Sequence, residues 1–448
     1  SASLVGSEMC IRDRQEENAP DRKRGNSAKG IHECAEAGRG MMFRQKSLNN
    51  QAGTMENNTP LELYIHIPFC VKKCLYCDFL SFAADEVTRK KYVEQLIKEI
   101  ETCGTRITGR DADAAFPVIS VFIGGGTPSS LCPEQICAVM NAVKENFRLL
   151  PDAEITIEAN PGTLDNKKLR AYKNSGINRL SLGLQSANPG ELRELGRIHS
   201  WNEFLESYRL AREAGFDNIN VDLMSALPGQ SFESYADTLE CVALLEPEHI
   251  SAYSLIIEEG TPFYDKYSGR AEALPDEEED RRMYHHTKEY LAEKGYHRYE
   301  VSNYARPGRE CIHNVGYWTG VSYLGIGLGA SSLMEGQRFS AIREMNNYLD
   351  LSREELAEGR QYENREILTE QDEMEEFMFL GLRLTEGIAA KDFKKRFGLN
   401  IEEIYGMTIG KLMEDGLMEM TGTKEDRRYR LSEFGLDVSN CVLAEFLL

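Results

Sequence analysis

Apolar and polar positions change their pattern sharply along the chain. Residues 1–58 show no hydrophobic period and are rich in Asn, Arg, Glu and Gly, a composition that predicts a disordered extension. From Leu61 onward, short apolar runs alternate with amphipathic stretches. Leu61–Ile67, Val118–Ile123, Glu154–Glu158, Arg179–Leu184, Asn218–Leu223 and His249–Leu255 predict six strands. Between them, Thr88–Ile100, Pro133–Phe147, Leu164–Asn174, Trp201–Glu213 and Ser231–Leu245 carry apolar residues at helical spacing. Such alternation predicts an α/β fold with parallel strands and right-handed crossovers. The unbroken run Val118–Ile123 suits a strand covered on both faces. Periodicity does not distinguish an open sheet from a barrel. In either case the ligand site belongs at the carboxyl ends of the strands.

A long acidic helix is predicted over Pro275–Lys294, followed by a Gly-rich, aromatic stretch from Tyr296 to Ser332. The pattern turns helical from Glu344, with Glu373–Leu384, Ala390–Phe397 and Ile401–Asp415. Gly416–Met420 and Tyr429–Leu431, around a charged turn, predict a β-hairpin. The chain therefore divides into an extension (1–58), an α/β unit (59–343) and a mainly helical, winged-helix-like unit (344–448). Winged helices often bind DNA, but Glu373, Glu375, Glu376, Glu402 and Glu403 make this one acidic, which favours a packing or lid role.

Charge sharpens the exclusion. Fifty-two basic against 73 acidic residues give a formal charge of −21 over 448 residues, which repels phosphates and predicts neither nucleic acid nor an anionic membrane as partner. No apolar run approaches the roughly 20 residues of a membrane helix, and the opening residues lack a secretory signal's basic start and apolar stretch. The expectation is a soluble cytoplasmic protein. The opening string Ser7–Arg14 resembles translated sequencing-adapter sequence, and Met55, Met41 and Met42 are alternative native starts.

Eleven cysteines are present, most of them isolated, as at Cys103, Cys132, Cys137, Cys241 and Cys441. Cys70, Cys74 and Cys77 are different, falling within eight residues directly after the first predicted strand. Three thiolates on one loop can hold three corners of a [4Fe–4S] cube and leave its fourth iron open to an outside ligand. The competing readings are zinc or reactive thiols. Zinc wants a fourth nearby ligand and paired spacings, and His66 sits within the strand pattern instead.

Cys-x3-Cys-x2-Cys after a first strand resembles the radical S-adenosylmethionine (SAM) superfamily. That resemblance implies a partial (β/α)6 barrel, a [4Fe–4S] cluster on Cys70, Cys74 and Cys77, and SAM on the open iron. It implies that Tyr76 stacks near adenine, that Gly125, Gly126 and Thr127 of the Gly124–Ser129 turn meet the methionyl amino group, and that Glu158 accepts from the ribose hydroxyls. Tyr64, Gln185, Arg197 and Asp222 match further lining positions, Arg197 suiting the methionyl carboxylate. For each polar residue alone, capping or surface solvation is the better reading; their repetition at strand ends changes the weighting.

Tyr64–Cys70, the glycine turn, Gly183–Ser186 and Asp222–Met224 resemble the oxygen-independent coproporphyrinogen III oxidase group, from about Leu61 to Leu447. The oxidase itself carries a further cysteine two residues after the third, where this chain has Phe79. The His-Asn-x-x-Tyr-Trp pattern of His313, Asn314, Tyr317 and Trp318 is similar to that of the HemW-type haem chaperone branch, as is Leu436–Asn440. This second resemblance implies haem contact at His313–Trp318, with Cys311 a rival axial ligand, a haem-acceptor protein and a cellular reductant for the cluster. Against it stands the plainer reading that His313 and Asn314 hydrogen-bond locally and Trp318 fills the core. No residue is assigned a catalytic role, and the alternative function is the oxidase's decarboxylation of propionates.

Overall fold

The computed structural model describes residues 59–108, 116–423 and 425–447. The expectations for residues 1–58 lie outside these. The six expected strands form: β1 (Leu61–Ile67), β2 (Val118–Gly125), β3 (Leu149–Ala159), β4 (Arg179–Gln185), β5 (Ile219–Ser225) and β6 (His249–Ser254). They pair in parallel in that order.

Period-two alternation explains how one sheet serves two purposes. Leu61, Leu63, Ile65 and Ile67 of β1, with Ile155 and Ile157 of β3 and Leu180, Leu182 and Leu184 of β4, face the crossover helices and build the main core. The intervening positions face the other way and are largely polar: Glu62 and His66, Ser120, Glu154 and Thr156, Arg179 and Ser181, Asn220, His249 and Ser251, all buried. The inner side of the arc is therefore largely polar, with Tyr64 and Phe122 among its apolar members.

The crossover helices include Glu86–Thr108, Pro133–Asn146, Asn166–Asn174, Trp201–Glu213 and Phe232–Ala243. Their starts are chemically marked. Asp165 and Ser231 accept from the Lys168 and Ser234 backbone N–H groups, and Ser200 with Glu203 forms a capping box.

The Gly-rich stretch extends the sheet on both edges. Two short antiparallel strands, β7 (His297–Arg298) and β8 (Asn303–Ala305), add to β6. On the other edge β9 (Ser322–Ile326) pairs in parallel with β1, and β10 (Ser331–Met334), β11 (Gln337–Ala341) and β12 (Tyr362–Ile367) continue antiparallel. The order runs β12-β11-β10-β9-β1-β2-β3-β4-β5-β6-β8-β7, and among the described residues its ends do not pair, as in a partial barrel. The expected helical pattern from Glu344 is thus interrupted by a strand, β12, whose half-exposed sequence Tyr-Glu-Asn-Arg-Glu-Ile carries no buried period.

Beyond it lie helices Glu370–Gly381, Ala390–Phe397 and Ile401–Glu414 and a second sheet of β13 (Ile388–Ala389), β14 (Met418–Thr421) and β15 (Arg428–Leu431). β14 and β15 are the expected hairpin. A second apolar core joins this region to the barrel, uniting Met378, Leu380, Phe393 and Tyr405 with Tyr64, Phe122, Tyr317 and Trp318. Among the described residues no helix is long and apolar enough to cross a membrane.

Candidate functional site

The loop after β1 carries the three cysteines over the carboxyl ends of the parallel strands. Cys70, Cys74 and Cys77 all line one cavity of about 520 Å³, and none is disulfide-bonded. Two of the sulfurs already have donors: Thr127 Oγ1 lies 3.5 Å from Cys70 Sγ, and Arg197 Nη1 3.5 Å from Cys74 Sγ. Burial, reinforced by Cys74, pushes the Cys77 thiol up to about 12. Metal binding would displace that proton.

The same cavity is lined by Tyr76, Gly125, Gly126, Thr127, Glu158, Gln185, Arg197 and Asp222. The structure thus brings together the whole expected set except Tyr64. That residue lies one inward step below, 5 % exposed, with its hydroxyl 3.1 Å from His66 Nδ1. His66 Nε2 donates to the Leu80 carbonyl at 2.9 Å, and burial lowers the ring's pKa to about 4. The neutral ring therefore accepts at Nδ1, and Tyr64 donates to it. Tyr64 supports the loop from beneath.

Local backbone explains the glycines. Gly125 has φ +112°, and a Cβ there would lie 2.6 Å from the His66 ring; at Gly126 one would lie 2.8 Å from the Phe69 carbonyl oxygen. The turn is pressed against the cysteine loop so closely that only glycine fits. Gln185 takes φ +73° at a register shift in β4, an uncommon conformation for a residue with a side chain.

Glu158 Oε2 accepts from the Gly125 N–H at 3.0 Å, and burial pushes its carboxyl up to about 7. Arg197 donates to the Gly183 carbonyl and, at 2.9 Å, to Asn160 Oδ1; Asn160 Nδ2 donates in turn to Thr127 Oγ1 at 2.8 Å. The Arg197 Nε is buried without a partner, an orphaned donor at the cavity. Asn160 is a link the sequence reading leaves unassigned; its signal is its place two residues beyond Glu158 at the end of β3.

The cavity does not end at the strands. Tyr253, Tyr284, Val301, Arg383, Leu436 and Asn440 continue its wall, so the carboxy-terminal segment closes over it. Among the described residues, no three His, Cys, Asp or Glu side chains converge as a single-ion site.

His313, Asn314, Tyr317 and Trp318 are placed apart from the cysteines. They lie on the helix Ile312–Thr319, packed inside the partial barrel, and none of them lines the cysteine cavity. His313 is fully buried, with Nδ1 2.7 Å from Ser120 Oγ, Nε2 3.2 Å from the Tyr317 hydroxyl, and its ring stacked on Phe122. Burial lowers its pKa to about 3, so it is neutral, and both ring nitrogens have hydrogen-bonding partners. Cys311 is equally buried, its thiol against Glu154 at 3.4 Å. In this packing the motif is a plug in the polar interior.

Comparison with known proteins agrees with this architecture. Residues 64–242 match the radical SAM superfamily and residues 368–438 the HemN C-terminal domain. The solved structure of coproporphyrinogen III oxidase (HemN) from Escherichia coli, a radical SAM enzyme, superposes with a TM-score of 0.73 at 25% identity, over 88% of this chain and 91% of that one. Fold and site together define a radical SAM protein. Its curated relatives include heme chaperone HemW of Lactococcus lactis, 34% identical over 87% of this chain and 98% of that protein, and heme chaperone HemW of Bacillus subtilis, 35% identical over 79% and 92%. The chain belongs to the HemW family.

Superfamily membership implies a [4Fe–4S] cluster and SAM. The residues present fit both: three free thiols on one loop, a glycine turn exposing backbone polar groups, a half-buried carboxylate, and an arginine with an orphaned donor.

Proposed function

We propose that this protein is a haem chaperone that holds a [4Fe–4S] cluster on Cys70, Cys74 and Cys77 and passes haem to an acceptor protein. Exchangeable SAM would occupy the space among Tyr76, Gly125, Gly126, Thr127, Glu158, Gln185, Arg197 and Asp222. Held there and reduced by a cellular donor, the cluster would supply one-electron reducing chemistry beside the SAM site. The chain's own residues orient the ligand: Glu158 accepts hydroxyl hydrogen bonds, and Arg197 offers a cation beside Cys74. The observation that carries the chaperone reading over an enzymatic one is Phe79, an apolar side chain lining the cavity where the oxidase resemblance calls for a further cysteine.

The second reading, coproporphyrinogen III oxidase, draws on the likeness to the Escherichia coli enzyme across most of both chains. One experiment separates them. Anaerobically reconstituted protein is titrated with haem and, in parallel, supplied with coproporphyrinogen III, SAM and a reductant. Stoichiometric haem binding without decarboxylation is expected. Robust formation of protoporphyrinogen IX overturns the chaperone reading.

A further inference from the structure

Parallel register sets a row of polar side chains across the inside of the arc. Ser181 of β4 lies beside Asn220 of β5, and Asn220 beside His249 of β6; farther along, toward the carboxyl ends, Asp222 lies beside Ser251. Neighbouring strands stand close enough for such side chains to hydrogen-bond directly. Asn220, His249 and Ser251 are buried, and Asp222 lines the cysteine cavity.

Polarity runs one way along this row. A carboxylate only accepts, so Asp222 Oδ1 takes its hydrogen bond from Asn220 Nδ2 at 2.8 Å. The same amide nitrogen donates to Ser181 Oγ at 2.9 Å, and the Ser181 hydroxyl lies 3.5 Å from Asp222 Oδ2. Asn220 Oδ1 therefore faces away and accepts twice, from Ser251 Oγ at 3.1 Å and from His249 Nδ1 at 2.7 Å. Burial keeps the His249 ring neutral by lowering its pKa, and the nearby Arg179 guanidinium adds to the effect. With its proton on Nδ1, the ring accepts at Nε2, and the Tyr299 hydroxyl donates to it at 2.8 Å. Tyr299 in turn accepts from the Cys311 N–H at 3.3 Å. Both donors and both lone pairs of the Asn220 amide are used, so the chain has one self-consistent arrangement.

We infer that His249 is a positioning residue for SAM: held by Tyr299, it orients the Asn220 amide, and that amide fixes the Asp222 carboxylate toward the cofactor. This rests on the SAM site proposed above. A carboxylate held from behind meets a ligand's donor group without first losing rotamer freedom, which is how outer partners strengthen a binding group. His249 is fully buried, so its effect passes through Asp222.

The test measures SAM affinity by equilibrium dialysis on anaerobically reconstituted protein, with the cluster's absorbance as the control. His249→Phe keeps a ring but removes both nitrogens, and SAM should bind about three- to tenfold more weakly, the scale of one lost hydrogen bond, with the cluster intact. His249→Asn places an amide donor near the position of Nδ1 and should recover most of the affinity. Tyr299→Phe removes only the outermost donor and should weaken binding by about twofold. In an Asp222→Ala background neither His249→Phe nor Tyr299→Phe should weaken SAM binding further, because the group they position is gone. Unchanged affinity in His249→Phe, a loss that persists in the Asp222→Ala background, or a loss that comes with loss of the cluster overturns the positioning role and leaves the SAM site standing. Failure of unaltered protein to bind SAM removes both, and the haem titration decides the chaperone reading separately.

Discussion

Glu99 is a carboxylate sealed inside protein. It lies on the helix Glu86–Thr108, fully buried, and its Oε2 accepts from the Tyr348 hydroxyl at 2.6 Å and the Gly327 N–H at 3.0 Å. Burial outweighs both hydrogen bonds and pushes its carboxyl up to about 7. A raised folded-state value means that the stability it contributes is fully present below the unfolded pKa, about 4.5, and is lost as pH rises through about 7. Glu99→Gln keeps an acceptor for both donors and removes the titration. The stability difference between wild type and this variant should therefore shift against wild type by on the order of 1–3 kcal/mol between pH 5 and pH 8. Denaturant unfolding at the two pH values measures it, and a difference independent of pH contradicts the account. At this scale the cysteines were legible because eight consecutive residues hold all three thiols, so covalent spacing alone brings them together. Glu99 and Arg383 were not, because nothing local distinguishes them from surface charges.

The helix Ile312–Thr319 shows how an element takes its role from what it packs against. An ideal Cβ on Gly316 would lie 2.0 Å from Glu62 Oε1, so the glycine lets the helix sit down on β1 inside the arc. Gly316→Ala should cost about 1–3 kcal/mol, the usual penalty for overpacking a tight interior. Because the clash is with one side chain, Glu62→Ala should relieve it, and the cost of Gly316→Ala should fall by roughly half or more in that background. A double-mutant cycle by thermal or chemical unfolding tests this, and strict additivity would refute it. The sequence pattern named these residues as a motif and weighed the plain reading of His313 beside the haem one. It could not decide between them, since a helix with His, Tyr and Trp on one side looks the same whether that side meets a ligand or the inside of a barrel.

Across the described residues, the loop after β1 and the carboxy-terminal segment meet at one cavity. Its floor is the loop after β1 and its rim includes Leu436, Asp437, Ser439 and Asn440. A chain ending at Ser432 should retain the large sheet, seen as an unchanged strand signature in circular dichroism, because none of its twelve strands lies beyond that point. Its reconstituted cluster should bleach in air several-fold faster than that of the full chain, since part of the wall that excludes oxygen is gone. Equal bleaching rates would show that the carboxy-terminal segment does not shield the site.

Strand–helix alternation, the cysteine spacing and the glycine turn are properties of neighbouring residues, and so the parallel sheet, the position of the site at its carboxyl ends and the family resemblance followed from the order of amino acids alone. The pairing of β9 with β1, the interior seat of His313 and the arrival of Arg383 in the wall of the cysteine cavity depend on contacts between residues far apart along the chain. Those contacts form only when the whole core packs, and packing has no signature in any single stretch.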